Sequence, residues 1–330
     1  MARYTEGVEL SAREVARQCA SFWLALILLA GLYACGEPEE NTAPSHYLQQ
    51  AQWGSPGGAP AQFREPMGIA VDDEGNVYVA DARNQRVQKF TPAGLFLASF
   101  GAGGTGPGQF EKPVDVAVDA EGSVYVSDYD LDRVQKFAPD GRFLLAWGEN
   151  GTEPGQFEAP AGVAVDAQGH VYVADFYNHR IQVFDGAGTL VKVLGSEGGG
   201  DGQLHYPTDV AFDGEGNIYV ADAYNYRVQK WAPDGRFLAV WGGQGSAQEQ
   251  FDMPSGIAVD GNGVVHIADS ANHRVVARTT EGKVVAVWDL SDNANPQIHS
   301  PTRVAARGGN VYVVDIANNR IRVLTLTRAK

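Results

Sequence analysis

The chain has little cysteine, no surplus of basic residues and no helical apolar pattern, and each shortage narrows what the protein can be. Two Cys in 330 residues are too few for a disulfide framework. The 25 basic residues are outnumbered by 40 acids. The resulting net charge of −15 argues against binding to nucleic-acid phosphates or, through basic patches, to an anionic membrane. No segment of the repeated part has the 3.6-residue period of an amphipathic helix.

Glycine, in contrast, is abundant. Its 40 residues are about 12% of the chain, against roughly 7% in an average protein. No collagen-like G-X-Y period accompanies them, so the excess indicates many tight turns. A hydrophobic content of 44% and a charged content of 20% are those of a folded chain.

The N-terminus has the pattern of an export signal. Arg3, Arg13 and Arg17 precede an uncharged run with the apolar centre FWLALILLAGLYAC, which ends in small residues. The segment from Leu32 to Cys35 resembles a bacterial lipobox, in which the Cys is lipidated and becomes the mature N-terminus. An uncleaved single-pass anchor is the alternative, since the run reaches the lower length limit for a membrane span.

These patterns predict three parts: a lipoprotein-type signal peptide over residues 1–34, a flexible tether over 35–46, and one domain over 47–330. The tether is predicted from its Pro-rich, acidic composition. Cys19 and Cys35 both belong to export, so the domain itself has no Cys. We expect the domain on the extracytoplasmic side of the cell envelope, held to the membrane by a lipid on Cys35.

A 47-residue repeat fills the predicted domain. Six similar segments begin at Pro66, Pro113, Pro160, Pro207, Pro254 and Pro301. The first five contain four short runs, and the last contains three, with the period-2 alternation and the β-branched and aromatic residues of strands. Gly-containing turns separate them, and an acid precedes the first turn in five repeats: Asp72, Asp119, Asp166, Asp213 and Asp260. Four antiparallel strands per unit, repeated radially, predict an all-β, six-bladed β-propeller.

The two ends of the domain predict how the ring closes. The last repeat ends with its third strand near Leu324, and an unmatched strand over residues 47–54 precedes the first repeat. Pairing these two strands completes blade six and removes an exposed edge. We expect a monomer closed by its N-terminal strand.

The repeat resembles the NHL repeat. The motifs that carry the resemblance are the Asn-His-Arg triplets at 178–180 and 272–274 and the Gly-Gln-Phe elements at 108–110 and 155–157. The resemblance covers residues 47–330 and implies a six-bladed propeller. It implies no single function, because one fold hosts unrelated activities.

An Asp and an Arg stand five residues apart in every repeat, which favours a structural role that each blade needs over catalysis in one blade. We interpret these pairs as clamps on the loop between the second and third strands. They are Asp81/Arg86, Asp128/Arg133, Asp175/Arg180, Asp222/Arg227, Asp269/Arg274 and Asp315/Arg320.

Residues that vary between blades are better ligand candidates than those that repeat. The loops after the second strands of blades two to four carry Tyr129, Phe176, Tyr177, Tyr224 and Tyr226, and we expect Asp115, Asp130 and Asp209 beside them. Clustered aromatics with acids suit a peptide, a glycan or a cationic small molecule. The sequence therefore favours a non-catalytic binding or scaffold module for a protein, peptide or glycan, with no nucleic-acid partner.

The alternative is an enzyme. His179 and His273 share one register, and NHL-like amidating lyases use His on this face around a metal. A propeller lyase or hydrolase with Ca²⁺ or Zn²⁺ at the central funnel would use these His with Asp115 and Asp209. The Gly101–Gly106 segment matches G-x-G-x-x-G but leads into no helix, so dinucleotide binding is not predicted.

Overall fold

Each 47-residue repeat forms one antiparallel sheet of four strands. The structure, a computed structural model, describes residues 45–289 and 300–327; the predicted signal peptide, Cys35 and most of the predicted tether lie outside these ranges. Six four-stranded sheets are present, which confirms the all-β, six-bladed β-propeller. None of the described helices has the length and apolar character needed to cross a bilayer.

The strands follow the repeats in chain order, and blade one starts at Pro66. Up to the end of blade three they are β1 (His46–Trp53), β2 (Ser55–Pro56), β3 (Gln62–Phe63), β4 (Pro66–Val71), β5 (Val77–Asp81), β6 (Arg86–Phe90), β7 (Phe96–Phe100), β8 (Ala102–Gly103), β9 (Gln109–Phe110), β10 (Pro113–Val118), β11 (Val124–Asp128), β12 (Arg133–Phe137), β13 (Phe143–Trp147), β14 (Pro160–Val165), β15 (Val171–Asp175), β16 (Arg180–Phe184) and β17 (Leu190–Leu194).

Blades four to six repeat this order. Their strands are β18 (Pro207–Phe212), β19 (Ile218–Asp222), β20 (Arg227–Trp231), β21 (Phe237–Gly242), β22 (Pro254–Val259), β23 (Val265–Asp269), β24 (Arg274–Arg278), β25 (Val284–Asp289), β26 (Pro301–Arg307), β27 (Asn310–Asp315) and β28 (Arg320–Thr327). Three single 3-10 turns follow second strands, at Ala82–Asn84, Ala223–Asn225 and Ile316–Asn318.

The burial of residues along each strand depends on the position of that strand in the blade. The second strands, such as β5 and β15, are buried at every residue because neighbouring blades cover both their faces. The fourth strands form the outer rim, and in β13 and β17 exposed residues alternate with half-buried ones. Gly75, with φ of 85°, closes the first hairpin of blade one by donating its N–H to the Asp72 carbonyl.

The N-terminal strand closes the ring. Strand β1 pairs antiparallel with β28, from His46 opposite Thr327 to Trp53 opposite Ile321, so that blade six has the order β1-β28-β27-β26. Tyr47 is buried, and its hydroxyl bonds to Nδ1 of His266 in blade five. The closure predicted from the two ends is confirmed, with β28 continuing to Thr327 and β1 starting at His46, the last residue assigned to the tether.

The hydrophobic core is divided among the spaces between blades. One such cluster joins Tyr78 and Val87 of blade one to Val116, Val126 and Phe137 of blade two. The aromatic or aliphatic side chain that precedes each of the first five blades is completely buried: Phe63, Phe110, Phe157, Leu204 and Phe251. These residues fix the connectors against the sheets. The first strands of all six blades surround a central channel with a cavity of about 210 Å³.

Candidate functional site

The loops after the second strands lie beside the connectors that lead into each blade. Backbone N–H groups of these loops donate to connector carbonyls, as from Tyr129 to Lys112 and from Tyr224 to His205, at 3.0 and 3.1 Å. We call the surface formed by these loops and connectors the loop face. The Gly turns between first and second strands lie at the other ends of the strands and form the turn face.

Five of the six Asp–Arg pairs are ion pairs on the loop face. The Arg Nε lies 2.7–2.9 Å from a carboxylate oxygen of the Asp, and these Asp side chains are completely buried. Blade two differs. Arg133 donates to the carbonyls of Thr105, Gly106 and Gln109, and Asp128 accepts N–H groups from the connector instead.

Blade three shows how such a pair holds the structure. Arg180 donates to Asp175 and to the carbonyls of Thr152, Glu153 and Gln156 in the preceding connector. The Asp175 carboxylate also accepts hydrogen bonds from the Glu158 N–H and from the Gln182 amide. The pair therefore ties the loop to the connector from the previous blade and makes no contact that requires a ligand.

Aromatic residues gather on the loop face at blades two to four. Phe176 is central: its ring centroid lies 4.9 Å from those of Tyr177 and Tyr206, 6.1 Å from Tyr224 and 6.4 Å from Tyr129. We call these five rings the aromatic cluster. Tyr177 and Tyr224 are 46% and 42% exposed, so the cluster is open to solvent.

The membership of the cluster differs from the sequence-based expectation in two residues. Tyr206 belongs to it, with a ring 4.7 Å from that of Tyr224. Within the described part of the chain, Tyr226 makes no ring contact with it. Tyr206 precedes the Pro that opens blade four, and only a comparison of that connector position between repeats would have found it.

The surroundings of the aromatic cluster are mainly acidic. Asp130, Glu158 and Glu197 are exposed beside it, and Nζ of Lys112 lies 4.4 Å above the Tyr129 ring. Burial raises the pKa of Tyr129, and its hydrogen bond with Tyr177 raises the pKa further. Tyr129 therefore stays a neutral phenol, and the negative charge of this region comes from carboxylates.

Among the described residues, no cluster of potential metal ligands contains both His179 and His273. His179 lies instead with Glu197 and His205, with potential ligand atoms within 4.8 Å of one another. Nδ1 of His179 accepts the Tyr206 N–H at 3.0 Å, so the neutral ring carries its proton on Nε2. His179 thus offers no free lone pair to a metal in this arrangement. Its side chain links two blades, as Asp132 does by accepting the Ala159 N–H.

Asp115 and Asp209, which the sequence analysis expects beside the aromatic residues, are not part of the exposed acidic surface. They are 3% and 5% exposed and line the channel, because both are the third residue of a first strand. Nε of Arg303, at the same position in blade six, lies 3.5 Å from the Asp115 carboxylate and 3.7 Å from that of Asp209.

Small residues make room for this charged group. The corresponding positions in blades one, three and five are Gly68, Gly162 and Gly256, where a Cβ would lie 2.4–2.7 Å from the Cα of the next blade's charged residue. The alternation of Gly with Asp, Asp and Arg was visible in the sequence at the third residue of each repeat. Its meaning depends on which of these residues meet across the ring, and the sequence of a single repeat does not show that.

Burial determines the pKa shifts of the two acids in the channel. Desolvation raises the pKa of Asp115 and raises the pKa of Asp209 to about 7, although the Arg303 guanidinium partly offsets both shifts. Carboxylates are suitable ligands for Ca²⁺. Here, however, a guanidinium lies between the two carboxylates, and each also accepts a backbone N–H, from Val163 and Ile257. The residues at this point do not fit a divalent cation.

Comparisons with known proteins support the fold. Residues 63–90, 157–184, 204–231 and 251–277 match the family model described as the NHL repeat. A streptogramin B lyase structure has 13% identity and a TM-score of 0.60, over 85% of this chain and 98% of that one. A gluconolactonase from Xanthomonas campestris has 13% identity and a TM-score of 0.61, over 88% and 99%. A chain from a nidogen–laminin complex has 19% identity and a TM-score of 0.57, over 74% and 93%.

Proposed function

Because this chain is a six-bladed propeller in which four segments match the NHL-repeat family model, we propose that it is a non-catalytic binding module that recognises a protein, peptide or glycan on its loop face. The observation that carries the proposal is the aromatic cluster. Five rings from three neighbouring blades are continuous there, and two of them, Tyr177 and Tyr224, are more than two-fifths exposed.

The cluster has the properties of a recognition surface. Aromatic rings supply a large contact area at low cost in conformational entropy, and Tyr adds a hydroxyl that can bond to polar ligand groups. The rings contact one another across blades, for example Tyr129 with Phe176 and Tyr206 with Tyr224. Much of their surface is therefore ordered before a ligand binds, which reduces the entropy lost on binding.

The charge of the surface restricts the ligand. Exposed carboxylates of Asp130, Glu158 and Glu197 lie beside the cluster, and the whole chain carries −15. We expect a neutral glycan or a neutral to basic peptide segment, since an acidic ligand or a nucleic acid would be repelled.

Two structurally similar proteins, the streptogramin B lyase and the gluconolactonase, are named as enzymes, which supports the enzyme alternative. The nidogen–laminin neighbour is part of a protein complex, so the fold alone does not decide. The central funnel favours the binding module: Arg303 is placed between the two carboxylates that a metal-dependent enzyme would need. No second function is proposed from the channel.

The test begins with a ligand search. The full chain is screened against an immobilised glycan array and a phage-displayed peptide library, and the dissociation constant of the best ligand is measured by calorimetry. We expect Tyr177→Ala and Tyr224→Ala each to weaken binding about tenfold or more, the usual cost of removing a central aromatic contact.

The matched control is Tyr226→Ala, the same substitution on the same face but outside the aromatic cluster. It should leave the dissociation constant within a factor of about two. Equal binding by all three variants and the parent chain would remove the aromatic cluster from the account.

We also propose that the chain is exported and is anchored to the membrane through a lipid on Cys35, at the cell envelope. The support is the Leu32–Cys35 segment after the apolar run. Metabolic labelling with radioactive palmitate should mark the parent chain and leave Cys35→Ser unlabelled. Label retained by Cys35→Ser would contradict the assignment, and an intact, unlabelled N-terminus would favour the uncleaved anchor.

A further inference from the structure

In three of the six blades, a Lys side chain lies between an Asp and a Tyr on the turn face. Lys89, Lys136 and Lys230 occupy the fourth position of the third strand in blades one, two and four. Their Nζ atoms lie 3.4–3.9 Å from the Asp that opens the Gly turn. They also lie 4.8–5.2 Å from the centroid of a second-strand Tyr ring. Each of these blades therefore binds its own ammonium group between a carboxylate and an aromatic face.

Blade three keeps the carboxylate and the ring but lacks this Lys. Asp166 and Tyr172 stand at the same positions, and Val183 replaces the Lys. Asp166 contacts Nδ1 of His170 at 3.0 Å instead. Lys192, opposite Val183 on β17, replaces it only in part: its Nζ lies over the Tyr172 ring, 6.0 Å from the centroid, but donates to the Pro233 carbonyl. Among the described residues, no Lys forms an ion pair with Asp166.

A cavity of about 540 Å³ opens at this place, between blades three and four. Its walls include Asp166, Tyr172, Val183, Lys192, Phe212 and Asp213. The equivalent space between blades one and two, where Lys89 is present, measures about 200 Å³. Val183 leaves open the space that the longer Lys89 side chain occupies in blade one.

The two sides of the cavity differ in chemistry. The rings of Tyr172 and Phe212 meet edge to face with centroids 4.7 Å apart and form an apolar wall. Asp166 supplies a carboxylate that contacts His170, while Asp213 is already paired with Lys230. A cation beside an aromatic face and a carboxylate is favoured both by the ring quadrupole and by direct charge attraction.

We propose that this cavity, the turn-face cavity, binds a small organic cation: a primary ammonium group takes the place that Lys89, Lys136 and Lys230 fill in the other blades, and an apolar or aromatic body lies against Tyr172 and Phe212. The site is on the opposite face from the aromatic cluster and does not depend on the proposed function. A metal ion fits less well, because the faces of the Tyr172 and Phe212 rings offer it no oxygen ligand.

The test uses phenethylammonium as the probe, with the full chain purified in detergent and binding followed by calorimetry. The account predicts one site per chain. It predicts binding at least tenfold weaker for the neutral analogue 2-phenylethanol, which lacks the charge.

Val183→Lys is the decisive variant, because it restores a residue that three other blades already accommodate. We expect it to place its own ammonium beside Asp166 and to weaken phenethylammonium binding at least tenfold. Val193→Lys adds the same charge at an exposed position on β17 outside the cavity lining and should bind as the parent chain does.

Asp166→Asn removes the carboxylate charge and should also weaken phenethylammonium binding at least tenfold. Unfolding temperatures identify any variant that fails to fold. Equal binding by the parent, Val183→Lys and Asp166→Asn would overturn the proposal, and so would equal binding of phenethylammonium and 2-phenylethanol. Unchanged amine binding in Tyr177→Ala and Tyr224→Ala would agree with the independence of the two sites, and loss there would contradict it.

Discussion

Nε of Arg303 lies 3.5 Å from a carboxylate oxygen of Asp115, although Arg303 belongs to blade six and Asp115 to blade two. The guanidinium also lies 3.7 Å from Asp209 of blade four and donates to the Thr208 carbonyl. Three alternate blades are thus joined across the channel by one buried cation, so charge balance in the channel contributes to the stability of the ring as a whole.

Removal of Arg303 should therefore destabilise the propeller. In Arg303→Met two buried carboxylates lose their cation, and we expect a loss of about 3–5 kcal/mol in the free energy of unfolding at pH 7. Urea unfolding followed by tryptophan fluorescence measures it. The loss should be smaller at pH 5, where the carboxyl groups can take up protons. Arg307→Met removes an exposed Arg from the same strand and should cost less than about 1 kcal/mol. Similar losses in both variants would disprove the role of the buried cation.

Asp209 should give the stability a measurable pH dependence. Burial raises the pKa of Asp209 to about 7, so between about pH 4 and pH 7 the folded chain holds a proton that the unfolded chain has released. The contribution of Asp209 to the free energy of unfolding therefore falls as pH rises through this window, by at most about 1.4 kcal/mol per pH unit.

Asp209→Asn removes this titration. The free energy of unfolding of the variant, relative to the parent chain, should rise between pH 5 and pH 8. Asp130→Asn makes the same chemical change at an exposed position of the loop face and serves as the control. Parallel pH profiles for the parent chain and Asp209→Asn would show that the Asp209 proton has no part in stability.

The Asp–Arg pairs allow a comparison between two blades. Arg180 bonds to Asp175 and to three carbonyls, whereas Arg133 bonds to three carbonyls only. Arg180→Met should cost more in unfolding free energy than Arg133→Met, by about 1.5–3 kcal/mol for the charged hydrogen bond. Equal costs in denaturant unfolding would mean that the ion pair adds nothing to the loop contacts.

The closing strand is open to a truncation test. A chain that starts at Ser45 keeps β1, and its unfolding temperature should equal that of the full chain. A chain that starts at Gly54 exposes the edge of β28 and loses the Tyr47–His266 contact. We expect its unfolding temperature to fall by about 10 °C or more, and a synthetic peptide of residues 45–53 to restore part of it. Equal unfolding temperatures would contradict closure by β1.

The sequence was sufficient for the fold because the fold is periodic. A Pro every 47 residues and a Gly turn such as that at Gly75 determine the number of blades. The unmatched strand before the first repeat and the missing fourth strand of the last repeat determine the closure. Turn residues and the alternation of apolar and polar residues predict the strands, and both patterns can be recognised within a single repeat.

The site was less predictable because it depends on which residues meet across the ring. Asp115 and Asp209 have the sequence context of surface acids, but both lie beside Arg303, which belongs to another blade. Tyr206 joins the aromatic cluster from a connector, and Val183 matters only because three other blades have a Lys at its position. The local sequence around a residue does not predict which residues of other blades it contacts.

The central claim is that ligand binding takes place at the aromatic cluster, and hydrogen–deuterium exchange with and without the selected peptide or glycan tests it most directly. The account predicts ligand-dependent protection in the loop-face segments 129–132, 176–179, 205–206 and 223–226, with little change in the first strands that line the channel. Protection confined to those first strands, together with loss of binding when divalent cations are chelated, would contradict the binding module and favour a metal-dependent enzyme.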